Sequence, residues 1–303
     1  MNKIVIIGCG NVGMAYAYSL LNQCLDIQEL VLIDTDTEKL PGKVADLNHS
    51  IYNLNCSTKL ISGNYSDCND ADMICITAGP SQSHLKSSRM EDLHKANSIL
   101  KNIISEVNKT NFSGFYLIAT NPLDVMTYVT WKYSNSDPFK VIGSGTLLDT
   151  ARLRFVLSEK YNKPITEITG YVLGEHGDSQ FIPWSTVNLE KLPESIMLEV
   201  ETKVKQAGFE VSKSQGFTSY GIASALSRIT RAIIFDEKVC LPVCSYLDDY
   251  GIFTSTPSII GKNGIEKSNV LDLEKNEILK LENSIQTIRK ACINEIKDFD
   301  AHM

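Results

Sequence analysis

The run Lys3-Ile4-Val5-Ile6-Ile7, followed at once by Gly8-Cys9-Gly10-Asn11-Val12-Gly13, constrains this chain more than any other stretch. An apolar, β-branched strand that breaks into glycine and then opens a helical pattern starts a βαβ unit. In G-x-G-x-x-G the first glycine permits a tight turn, the second lets backbone approach a pyrophosphate, and the third lets helix and strand pack closely. The helix N-terminus then offers free N–H donors to phosphate. Asp34 ends the next predicted strand, where its carboxylate can accept both ribose hydroxyls of an adenosine and would repel a 2′-phosphate. Gly8, Gly10, Asn11, Val12, Gly13 and Asp34 therefore form a candidate dinucleotide site that favours NAD over NADP.

The same rhythm continues through the first half, with predicted strands Lys3–Ile7, Glu29–Ile33, Lys59–Ser62, Met73–Thr77, Phe115–Ala119 and Lys140–Ile142. Several are apolar enough to be buried on both faces, as in the middle of a parallel sheet. Helical spacing over Val12–Gln23, Lys39–Ser50 and from Met90 to Lys109 supplies crossover helices. The expected class is α/β, built on a doubly wound parallel sheet. From Leu148 the texture changes to a helix over Asp149–Tyr161, a strand over Ile168–Leu173, and helices over Pro193–Lys213 and Ser219–Phe235. Strands Cys240–Tyr246 and Ser258–Ile260, a turn at Gly261-Lys262-Asn263-Gly264 and a surface helix from Glu274 to Asp298 complete the pattern. The domain change falls near residue 143, dividing the chain into a dinucleotide domain over 1–143 and a substrate domain over 144–303.

Charge excludes other classes. Acidic residues outnumber basic ones by 36 to 29, so the long-range field has the wrong sign for nucleic acid or an anionic membrane. An anionic ligand must be held by a few local cations. Only six residues are arginine (Arg89, Arg152, Arg154, Arg228, Arg231, Arg289), and only five are histidine. Eight scattered cysteines form no C-x-x-C pair that would suggest zinc or a redox motif, so no metal site is expected and free thiols in a reducing compartment are. No apolar run reaches about 18 residues, the length of a membrane span, and the N-terminus has no signal-peptide core; a cytoplasmic protein is expected.

Two further patterns carry chemistry. Glycines on both sides of His176, in Gly174-Glu175-His176-Gly177-Asp178-Ser179, suggest an imidazole held in an exposed turn at a cleft. Asp149 and Arg152, three apart on one predicted helix, point the same way, either into that cleft or as an ordinary helix-face ion pair. His49 and His94 read as helix-surface residues and His84 as a loop residue.

The whole chain resembles the L-lactate dehydrogenase family, including its L-2-hydroxyisocaproate dehydrogenase branch. The matching blocks are Gly8–Gly13, Val31–Asp34, Ala119-Thr120-Asn121-Pro122, Gly143–Thr146 with Leu148–Arg152, Gly174–Ser179 and Gly216-Phe217-Thr218-Ser219-Tyr220-Gly221. The resemblance implies a Rossmann domain, an α+β catalytic domain, and hydride transfer between NAD and C2 of a 2-hydroxy acid. It implies His176 as acid/base, Asp149 as the carboxylate that orients it, and Arg152 as the fork that grips the substrate carboxylate. It further implies Arg89, on a closing loop, as the group that polarises the carbonyl. Asn121 falls near the nicotinamide and the substrate oxygen, and Thr218 with Ile222 near the substrate side chain. A homotetramer with the dimer as minimal unit is implied as well.

Two departures stand out. The loop between Gly79 and Arg89 is one residue shorter than usual, so counting forward selects Gln82 and counting back selects Ser83 as the reader of the substrate side chain. Neither is the arginine of malate dehydrogenases. The lactate-like Gln82 favours pyruvate, while Gly170–Leu173 and Ser179–Phe181 lean toward bulkier apolar 2-oxo acids. Allosteric bacterial members pair a basic residue two after Arg152 with a histidine before the catalytic one, jointly binding fructose 1,6-bisphosphate. Here Arg154 is present but Thr169 stands at the second position, which implies weak or absent activation. The rival class is a dinucleotide sensor without turnover, against which the combination of His176, Asp149, Arg152 and Arg89 speaks: a binder has no need of a proton donor.

Overall fold

A computed structural model describes residues 1–80, 89–190, 192–269 and 271–295. Strands β1 (Lys3–Ile7), β2 (Glu29–Ile33), β3 (Lys59–Ser62), β4 (Met73–Ile76), β5 (Phe115–Ile118) and β6 (Val141–Gly143) pair in parallel in the order β3-β2-β1-β4-β5-β6. The chain builds outward from β1 to β3, then returns to lay β4 on the other side of β1. That reversal opens a crevice at the carboxyl ends of β1 and β4, where doubly wound sheets bind ligands.

Alternation along β1 shows why its run is wholly apolar. Val5 and Ile7 face one core with Leu100 and Ile104 of α3 (Arg89–Val107), and Ile4 and Ile6 face the other with Tyr16 and Leu20 of α1 (Asn11–Asn22). Both faces are covered, so no polar position is needed in the strand. α2 (Leu40–Leu54) lies on the second face.

The sheet does not stop at β6. Gly143 pairs with Cys244 and joins an antiparallel meander of β7 (Val239–Leu247), β8 (Ile252–Gly261) and β9 (Gly264–Lys267), giving nine continuous strands. α5 (Leu147–Tyr161), α6 (Glu194–Gln215) and α7 (Tyr220–Ile234) follow the crevice, and α8 (Lys275–Glu295) closes the described fold. α5 and α6 enclose a small core of their own, formed by Leu153, Leu157, Val200 and Val204 with Val172 and Ile182.

Three elements differ from the sequence reading. α4 (Leu123–Ser134) lies where no helix is expected, because Leu123 through Thr130 are all buried and no polar stripe betrays the period. β8 begins at Ile252 instead of Ser258, since its fully buried Thr254, Ser255, Thr256 and Ser258 mask the strand in hydroxyls. Ile168–Leu173 is not a regular strand; it makes only isolated bridges, at Leu173 with Phe181 and next to it at Gly174 with Ser255. Side chains of α5 and of Thr146, which caps it, take backbone groups that a ladder would have used. Thr146 Oγ1 donates to the Val172 carbonyl (2.5 Å), Val172 N–H donates to Thr150 Oγ1 (2.9 Å), and Arg154 donates twice to the Gly170 carbonyl (3.2 Å each). These contacts take the Gly170 carbonyl and both polar backbone groups of Val172 away from any ladder.

Candidate active site

The glycine loop turns directly from β1 into α1. Gly8 has φ +97, Gly10 caps α1, and Asn11 and Val12 form its first turn. A Cβ at Gly13 would lie 2.1 Å from the Gly8 carbonyl, so only glycine allows this approach of helix to strand. A Cβ at Gly10 would meet nothing within 4 Å, so the backbone there faces open space. Asp34 follows β2; its Oδ2 accepts from Cys9 N–H (2.6 Å) and its Oδ1 from Asp36 N–H (2.9 Å). Each oxygen keeps a further lone pair for a ribose hydroxyl. An open glycine cradle beside a carboxylate whose remaining capacity is acceptor-only fits the adenosine and pyrophosphate of NAD.

The second cluster assembles from one helix and a turn remote from it in sequence. Asp149 and Arg152 lie on α5, and His176 lies on the turn after the bridge at Leu173 and Gly174. His176 Nδ1 is 2.6 Å from Asp149 Oδ2, and Arg152 Nη1 donates to Asp149 Oδ1 at 2.9 Å. A carboxylate only accepts, so Nδ1 carries the proton in that contact and Nε2 is the nitrogen left for a ligand. The Asp149 side chain is 3% exposed while Arg152 and His176 are 18% and 27% exposed, which places the cations at the rim above a buried anion. Burial by itself would lower the His176 pKa, but the charge and hydrogen bond of Asp149 and the charge of Asp124 raise it above the ordinary histidine value. Burial opposes ionisation of Asp149 too, yet His176 and Arg152 hold it below the usual carboxylate range. Protonated, the trio carries a net charge of about +1, matched to a monoanionic ligand.

One participant has no signal in the sequence reading. Asp124, on the unexpected helix α4, accepts from the His176 backbone N–H at 2.8 Å. It is buried, and that burial pushes its carboxyl up to about 6 against the pull of His176. The only sequence clue is a lone charge in the otherwise apolar run that starts α4.

The remaining expected site residues are placed less tightly. Asn121 is exposed at the C-terminal end of β5, just before α4. Thr218 is half-buried in the link between α6 and α7, and Ile222 lies in the first turn of α7, packed partly against the core beneath the cofactor face. Arg89 opens α3, and its side chain lies outside the described residues, as do Gln82, Ser83 and His84 entirely. His49 and His94 are exposed on α2 and α3. Arg154 lies two positions from Arg152 with its guanidinium on the Gly170 carbonyl and over the Tyr171 ring, 5.6 Å from its centre. Thr169 is tied to Asn188 and the Thr186 carbonyl.

Comparison with known proteins identifies the family. Residues 2–143 match the family model for the lactate/malate dehydrogenase NAD-binding domain, and residues 146–300 match the model for the lactate/malate dehydrogenase alpha/beta C-terminal domain. The chain is 40% identical over 298 residues to an L-lactate dehydrogenase of Halalkalibacterium halodurans, covering 95% of this chain and 96% of that protein. It is 40% identical over 303 residues to one of Corynebacterium efficiens, covering 95% of each. Among solved structures, the minor L-lactate dehydrogenase of Enterococcus mundtii superposes with a TM-score of 0.92 at 33% identity, covering 98% of this chain and 99% of that one. A lactate dehydrogenase from a Medee basin deep-sea metagenome library also gives 0.92, at 34% identity, with 97% and 98% covered.

Proposed function

Since the chain belongs to the L-lactate dehydrogenase family and carries its NAD-binding domain, we propose that it reduces pyruvate to L-lactate with NADH, using His176, Asp149 and Arg152. The observation that carries this reading is the single buried carboxylate of Asp149, shared between His176 (2.6 Å) and Arg152 (2.9 Å). Bound NADH would supply the hydride that C2 of the 2-oxo acid receives. His176 gives the proton from Nε2 to the carbonyl oxygen as the alcohol forms, and takes it back in the reverse direction. Asp149 fixes the imidazole and stabilises its protonated form. Arg152 keeps guanidinium N–H groups beyond the one it gives Asp149, and these grip the substrate carboxylate. Arg89 polarises the carbonyl oxygen as charge develops there. Gly8, Gly10, Asn11, Val12 and Gly13 receive the pyrophosphate, Asp34 the adenosine ribose, and Asn121 the nicotinamide side. Thr218 and Ile222 are assigned to the substrate side chain, with Gln82 or Ser83 as the loop position that reads it. The functional division is 1–143 for cofactor and 144–303 for substrate, which the two family matches support.

The test is a comparison of specificity constants for pyruvate, 2-oxobutyrate and 2-oxoisocaproate with NADH. Pyruvate is expected to be preferred. Preference for 2-oxoisocaproate would move the enzyme to the hydroxyisocaproate branch, and tight NADH binding without turnover of any 2-oxo acid would leave a dinucleotide sensor.

Assembly and regulation belong to the same proposal. A homotetramer with the dimer as minimal unit is the assembly that membership of the family suggests for this chain. The eight cysteines are all unpaired, which supports a reducing, cytoplasmic location; among the described residues no helix is long and apolar enough to cross a membrane. Because Arg154 is engaged with Gly170 and Thr169 replaces the second basic partner, micromolar fructose 1,6-bisphosphate is expected to change neither the sedimenting mass nor, by as much as about tenfold, the rate. A tenfold activation would mean that Arg154 leaves Gly170 to bind the sugar phosphate.

A further inference from the structure

The catalytic turn is built by hydrogen bonds from an element remote in sequence. Ser284 of α8 is fully buried, and its Oγ accepts from Glu175 N–H at 2.6 Å. It lies 2.9 Å from Ser179 Oγ, which itself donates to Glu175 Oε2 at 2.5 Å. The proton directions follow from elementary chemistry. Glu175 can only accept, so the Ser179 hydrogen goes to it and the Ser284 hydrogen goes to Ser179 Oγ. Ser284 therefore takes one N–H from the start of the turn and gives one O–H to its end. A Cβ at Gly174 would sit 2.5 Å from Ser284 Oγ, so the glycine before the turn exists where this serine needs the space.

Seen from His176, the backbone is held on both sides. The preceding N–H, of Glu175, goes to Ser284 on α8, and the N–H of His176 itself goes to Asp124 on α4. α8 is anchored again near its start, where Glu277 accepts from Ser185 N–H (3.1 Å) and Oγ (2.7 Å).

We propose that Ser284 is a positioning residue that sets the register of the His176 turn, so that the imidazole meets Asp149 and presents Nε2 to the substrate. It acts through the Glu175–Ser179 segment and touches no substrate atom. The inference rests on the proposed 2-oxo acid reduction, and its test keeps the two apart.

Ser284→Ala and Ser179→Ala are compared with the parent enzyme by NADH titration, steady-state kinetics with pyruvate, and the pH profile of the rate. The ionisable groups that face His176 are Asp149 and Arg152 from α5, Asp124 from α4 and Glu175 from its own turn; neither substitution replaces any of them, and of the two only Ser179→Ala removes a side-chain hydrogen bond from one, Glu175. Expected for Ser284→Ala is a kcat about 10- to 100-fold lower, the range for a sub-ångström to ångström misplacement of a reacting group. NADH affinity should stay within about twofold, because the glycine loop is untouched. Slackening the Asp149 contact removes part of what raises the His176 pKa, so the decline of reduction with rising pH should begin at lower pH than in the parent. A Ser284→Ala enzyme with parental kcat and an unshifted profile overturns the proposal, whatever its thermal stability. If that variant does not fold, Ser179→Ala carries the test: a shifted profile supports the proposal and a parental one overturns it. A parent enzyme that turns over no 2-oxo acid fails the functional reading instead, and is recognised before either variant is made.

Discussion

His176→Asn is expected to lower kcat for 2-oxo acid reduction by about 10²- to 10⁴-fold, the usual contribution of a positioned proton donor. Asparagine can still meet Asp149 but cannot supply the proton that the product alcohol requires. The pH profile separates this from mere damage. Reduction consumes the protonated imidazole, and Asp149 and Asp124 outweigh burial to raise its pKa above the ordinary value. The parent rate should therefore hold across neutral pH and fall as pH rises through that raised pKa, while the oxidation of the hydroxy acid follows the opposite trend. The residual rate of the variant should lose this limb. Steady-state rates between about pH 5 and 10 measure it, a window that brackets an ordinary histidine pKa. Near-parental activity in the variant would remove His176 from the mechanism.

Arg152→Lys is expected to cost about 3–4 kcal/mol of transition-state stabilisation, or roughly 10²- to 10³-fold in kcat/KM. The guanidinium performs two tasks at once. One N–H holds Asp149 at 2.9 Å, and in the proposed role the rest of the planar fork pairs the substrate carboxylate. An ammonium is a single point that can serve one of these well and cannot pair a carboxylate bidentately. Gly208 of α6 leaves room beside the guanidinium, since a Cβ there would come within 3.3 Å of Nη2. Specificity constants for pyruvate with the two enzymes, together with unchanged NADH affinity, are the measurement. A loss under about threefold would mean that the substrate carboxylate is held by another group.

Much of this site could be read along the chain because its parts have local signatures. The glycine loop and Asp34 follow from a strand, a turn and a second strand, each reporting its own geometry. Asp149 and Arg152 share a helix face by their spacing of three, and flanking glycines mark His176. What spacing left open was whether the pair on α5 is an ordinary ion pair or faces the histidine; it does both, with Asp149 between them.

The less legible parts depend on burial that no local period reports. α4 is buried along most of its length and shows no amphipathic stripe, so the helix and Asp124 on it are both missed. Ile168–Leu173 has strand composition, yet side chains of α5 and its cap Thr146 take the Gly170 carbonyl and the Val172 backbone. β8 hides in a run of buried hydroxyls.

Sequence alone determined the fold class, the dinucleotide loop, the acid/base candidate and the scarcity of arginine that singled out Arg152 and Arg89. Only the tertiary structure decided that Asp149 meets a histidine 27 residues away, that Asp124 holds the same residue's N–H across 52, and that Ser284 braces the turn from 109 residues beyond Glu175. The physical reason is one of range. Periodicity and turn chemistry record what each segment does with its own backbone and nearest faces. Which hydrogen-bonding groups are brought within 3 Å of one another is set by the packing of α4, α5 and α8 around one sheet.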